Sequence, residues 1–68
     1  MLTIYAAFTT ATGAFKETLD YAAEATRKEC VAAMHERSAD LVDFNLIESE
    51  PAPHGRTTHK YVATGEPR

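Results

Sequence analysis

The sequence predicts a small single α+β domain: strand, helix, strand, strand, with one long helix packed on one face of a three-stranded sheet. Three observations predict it. Residues 2–8 alternate apolar and polar, the period of a half-buried strand. Residues 14–37 carry an apolar stripe at helical spacing, with no proline or glycine between Ala14 and Asp40. Residues 41–48 and 57–64 are rich in strand-forming residues and are separated by Pro51, Pro53 and Gly55.

The first strand, 2–8, turns Leu2, Ile4, Ala6 and Phe8 one way and Thr3, Tyr5 and Ala7 the other. Thr9 to Gly13 reads as a turn whose hydroxyls can cap the following helix, and whose free N–H groups make it a weak candidate for anion binding. In the helix, 14–37, Phe15, Leu19, Ala22, Ala23, Thr26, Cys30, Ala33 and Met34 share the core face, and the small alanines let it lie close on a sheet. Lys16, Glu17, Asp20, Glu24, Arg27, Lys28 and His35 gather opposite, with Glu24 and Lys28 at the i,i+4 spacing of a favourable pair. Strict alternation over 41–48 sets Val42, Phe44 and Leu46 on one face and Leu41 and Ile47 on the other. Ser49 to Gly55 reads as a loop, 57–64 as the third strand of an antiparallel hairpin, and 65–68 as a flexible tail. Strand orders 1-3-2 and 3-2-1 both satisfy this pattern.

A chain of 68 residues makes one domain and has little core to spare. One cysteine, Cys30, excludes an intrachain disulfide and fits a reducing, cytoplasmic compartment. The opening residues lack the basic-then-apolar pattern of a signal peptide, and no run approaches a membrane span. Association with another chain is therefore the expected route to added stability. Residues 1–50 hold nine acids against four bases, −5, whereas 51–68 hold three bases against one acid, +2. An acidic body disfavours direct nucleic-acid binding and suits docking on a basic surface.

No motif points to catalysis, a metal or a cofactor. Cys30 lies on the apolar helix face without a base beside it, and reads as a small buried hydrophobe. His35, His54 and His59 fall in no zinc-ligand spacing with it, and His35 suits a helix C-terminus by charge. Asp40, Asp43, Glu48 and Glu50 form a scattered acidic series along the second strand. Alternation puts Asp43 on the opposite parity from the other three. Their sharper reading is a stripe that docks on a basic groove. His54, Arg56, His59 and Lys60 make a basic run on the hairpin that is a candidate anion or ligand contact. Tyr21 stands off the core face beside Ala25 and Ala32; with Tyr5, Asp20, Glu24 and Lys28 it completes a candidate partner-binding set.

The length and the strand–helix–strand–strand layout resemble the dodecins, small flavin-binding oligomers. That family stacks its flavin on a tryptophan and this chain has none, so neither ligand nor site residue carries over. In type, a small, acidic, motif-free α+β chain is also similar to phage inhibitors of host defence such as the anti-CRISPR proteins. The leading expectation is a non-enzymatic protein-binding module that docks on and inhibits or modulates a larger protein, such as a nucleic-acid-handling enzyme. The second is a homo-oligomer holding a small ligand between subunits near the basic hairpin, and the third a small DNA-binding regulator using that hairpin.

Overall fold

The computed structural model describes the backbone of residues 1–11 and 15–68 and the side chains of 1–11 and 20–68. The chain is α+β in the predicted order: β1 (Leu2–Thr10), α1 (Phe15–Glu36), β2 (Ala39–Ala52) and β3 (Arg56–Pro67), with a short 3-10 turn at Pro53–Gly55. The sheet order is β1-β3-β2, and both outer strands run antiparallel to β3. Of the two orders the pattern allowed, this one makes β2 an edge strand.

The edge position explains why the hairpin is longer than its sequence suggests. Pro51 removes a backbone donor, which a central strand cannot spare but an edge can. β2 therefore runs through Pro51 to Ala52, where Ala52 pairs with Arg56, and the loop expected over Ser49 to Gly55 shrinks to Pro53–Gly55. His54 and Gly55 make the reversal with positive φ of 64° and 69°. At the other end the tail does not fray. β3 continues to Pro67, Gly65 is buried, and the Arg68 backbone N–H donates to the Ser38 carbonyl at 2.8 Å.

Alternation in β1 is as predicted: Leu2, Ile4, Ala6 and Phe8 are half-buried under the helix while Thr3, Tyr5, Ala7 and Thr9 are exposed. Thr9 and Thr10 belong to this strand rather than to a turn. The turn itself, with Thr12 and Gly13 and its anion-binding reading, lies outside the described residues, as do the side chains of Phe15, Lys16, Glu17 and Leu19.

In β2, strict alternation fails. The register against β3 slips between Leu41 and Asp43 and again between Leu46 and Glu48. Each slip inserts one residue, Val42 and then Ile47, and resets which face follows. Leu41, Phe44 and Leu46 pair with Gly65, Ala63 and Tyr61 on the helix side. Val42 and Ile47 are left on the far face, so Leu41 and Val42 exchange the sides expected of them at the first bulge, while Ile47 stays opposite Phe44 and Leu46 as expected.

The helix lays Ala22, Thr26, Cys30 and Met34 on the sheet. Cys30, Met34, Ala39 and Ala63 form the apolar core, and Leu2, Ile4, Ala6, Leu41 and Phe44 pack around it. The Phe44 and Tyr61 rings stack at 4.9 Å and 11°. Toward the hairpin end the interior turns polar: the buried His59 ring lies between the Thr10 hydroxyl (Nε2, 2.9 Å) and the Ser49 hydroxyl (Nδ1, 2.9 Å). The helix ends in two residues, with Arg37 donating to the Ala33 carbonyl at 2.9 Å and Ser38 in the left-handed region at φ 56°.

Candidate functional site

The bulges decide what the uncovered face of the sheet presents. By pairing, Thr3, Thr64 and Asp43 share that face, as do Tyr5, Val62 and Asn45, then Ala7, Lys60 and Glu48, then Thr9, Thr58 and Glu50. Val42 and Ile47 join them at the bulges. No helix covers this layer among the described residues. Tyr5 is 73 % exposed, and Val42 and Ile47 are each 54 % exposed. Apolar side chains on all three strands therefore cross a face that water reaches.

The same two insertions gather the acids. Strict alternation separates Asp43 from Asp40, Glu48 and Glu50, but two bulges bring all four to one side. Lys60 sits among them. Its Nζ donates to Glu50 Oε1 at 2.9 Å and lies 3.8 Å from Glu48 Oε2. The hydrogen bond, and then the charge, hold the Glu50 carboxyl below its ordinary range and push the Lys60 ammonium up. At the strand's start Asp40 takes Arg68 at 3.1 Å and His35 at 3.5 Å, which ties helix end, edge strand and chain end together. On this side Asp40, Asp43, Glu48, Glu50 and Glu66 outnumber Lys60 and Arg68.

The predicted partner-binding residues divide between two surfaces. Tyr5 lies on the uncovered sheet face. Tyr21, 74 % exposed, lies with Glu24 and Lys28 on the helix side opposite the Ala22–Thr26–Cys30–Met34 stripe. Together with Ala25 they line a shallow groove of about 180 Å³, and Asp20 is exposed one residue before it. One partner surface cannot touch both Tyr5 and Tyr21 without wrapping the domain.

The predicted anion-binding residues do not converge. His54 and Arg56 are exposed at the hairpin tip, His59 is buried on the helix side of the sheet, and Lys60 faces the other way into Glu48 and Glu50. The opposed directions of His59 and Lys60 follow from strand alternation alone. Among the described residues no three His, Cys, Asp or Glu side chains gather as a metal site, and no helix is long and apolar enough to cross a membrane. Burial, with the nearby Glu29 charge second, pushes the Cys30 thiol up, away from the thiolate a nucleophile needs.

Alternation already places Ile47 opposite Phe44 and Leu46; what sequence reasoning missed is the joint surface, with Val42 and all four acids on that same side. It depends on two bulges, and neither insertion carries a proline, a glycine or any other local mark.

The class this geometry defines is a two-layer α+β domain with one sheet face open. No protein-family model matches the chain, and no curated protein or solved structure matches it.

Proposed function

We propose that this protein acts by binding a larger protein, without catalysis, through the uncovered face of its sheet. The observation that carries this reading is the joint exposure of Tyr5, Val42 and Ile47 on a face flanked by Asp43, Glu48 and Glu50. An apolar centre with a charged rim is the usual anatomy of a protein interface, and aromatic anchors supply much of its energy. The acid excess suits a partner whose rim is basic. Complementary charge raises the encounter rate and discriminates against partners that carry negative charge. Enzymes that handle nucleic acid present such basic surfaces, so modulation or inhibition of one is the specific form we favour.

The test is affinity capture with the untagged surface free, comparing the wild-type chain with Val42→Lys/Ile47→Lys and with Tyr21→Ala. All three changes fall on exposed positions, and thermal melting checks that each variant folds. The reading expects a defined protein to be retained by the wild type and by Tyr21→Ala, and lost from the double lysine variant. Equal retention by all three removes the sheet face from consideration. Loss with Tyr21→Ala alone transfers the role to the helix groove.

A further inference from the structure

The two edges of this sheet are built differently. β2 carries the devices that keep a strand edge from pairing with another chain: two bulges at Val42 and Ile47, Pro51 within the strand, and the acids Asp40, Asp43, Glu48 and Glu50 along its length. β1 carries none of them. Its nine residues, Leu2–Thr10, include no charge, no proline and no glycine, and they pair with β3 in one unbroken register. Nine residues is long for an edge strand, and β1's outward row of N–H and C=O groups is a template for a further strand.

We infer that β1 is a self-association edge, pairing antiparallel with β1 of a second copy about a twofold axis to join two three-stranded sheets into one. A twofold operation brings each residue of a strand against another of the same strand. The uncharged β1 meets no repulsion on doing so, whereas the same operation on β2 would bring its carboxylates together. A register centred on Ala6 keeps both faces consistent, because i and 12−i share parity. On the helix side it sets Ile4 against Phe8, a β-branched residue against an aromatic one, which is a favourable cross-strand pair. On the open side it sets Tyr5 against Ala7, which leaves room for the ring. Both of these side-chain rows are only partly covered within one chain. Pairing also adds burial to a chain near the lower size limit for independent folding. The β1 edge alone carries this association, independently of the partner proposed above.

Sedimentation equilibrium on the full chain, across a range of concentrations, tests it. The wild type is expected to form a dimer. Thr3→Lys/Ala7→Lys adds like charges at exposed positions of β1 and should raise the dimer dissociation constant by about tenfold or more. Val42→Lys/Ile47→Lys, on the same face but on β2, should leave it unchanged. Amide exchange in β1 should slow as protein concentration rises. A chain that stays monomeric at every concentration overturns the inference. So does a dimer indifferent to the β1 lysines, or one broken by the β2 lysines, which would assign self-association to the face rather than the edge.

Discussion

Gly65→Ala is the sharpest probe of how this domain is packed. Gly65 lies within β3 with ordinary strand φ, so its backbone geometry does not require glycine. What requires it is space. A Cβ at this position would lie 2.5 Å from Met34 Sδ, 3.0 Å from the Asp40 carbonyl oxygen and 3.2 Å from Met34 Cε. The thioether is flexible, but Met34 is fully buried, and close-packed interiors leave a displaced side chain little room. The carbonyl belongs to β2 and can retreat only if that strand bends. Overpacking of this kind costs typically about 1–3 kcal/mol. Against it, replacing glycine stabilises by roughly 0.4–1 kcal/mol through the unfolded chain. The balance is a loss of about 1–2 kcal/mol, which for a domain of this size lowers the melting temperature by on the order of 5–15 °C. Urea and thermal denaturation read it directly. On a Met34→Ala background the same substitution should cost less, because the nearest clashing atom is gone, leaving an interaction energy of about 0.5 kcal/mol or more. A Gly65→Ala midpoint equal to or above the wild type would refute the packing argument, as would strict additivity with Met34→Ala.

Three further outcomes follow from the same geometry. Ser38 holds a left-handed φ of 56° at the end of α1, so Ser38→Gly should stabilise by about 0.5–1 kcal/mol in urea denaturation; a loss would mean the serine side chain contributes there. The Tyr61 hydroxyl is buried without a partner among the described residues, so Tyr61→Phe keeps the stack on Phe44 and should raise stability by about 1 kcal/mol; a fall of that size would reveal a bond to the hydroxyl. Burial raises the Tyr61 phenol above its ordinary 10.0, and burial and then Glu29 raise the Cys30 thiol above 9.0. The unfolded chain therefore loses these protons first. Stability should be full below about pH 9 and fall as pH rises through the two folded values, a slope that Cys30→Ala should make shallower. Unfolding midpoints that coincide at about pH 8 and pH 10.5 would remove both groups from the account.

How far the fold was legible depends on which forces act locally. The alternation of β1 and the helical stripe Ala22–Thr26–Cys30–Met34 are properties of neighbouring residues, and they predict burial correctly. The element order and the antiparallel hairpin follow from the same periodicities. Even the divergence of His59 and Lys60 is written in their adjacency. The uncovered sheet face follows from counting one helix against one three-stranded sheet, and Tyr5 falls on it by parity alone.

What the tertiary structure decided is each point where a distant strand sets the local rule. Pro51 breaks a strand in most settings, but an edge strand tolerates a missing donor, so β2 continues and the loop closes to three residues. Gly65 resembles the start of a loose end, yet the need to seat Met34 against β3 makes it part of the core. The bulges at Val42 and Ile47 exist only relative to the register of β3, which no window of the sequence contains. They turn Val42 outward, to the side where Ile47 lies by alternation from Leu46, and bring four acids to that side. The sequence by itself thus determined the elements, their order and the inner face of the helix, because those rest on periodicity within each segment. The composition of the open face, and the contrast between a guarded β2 edge and an unguarded β1 edge, came only with strand order and register, because pairing is a relation between segments far apart in the chain.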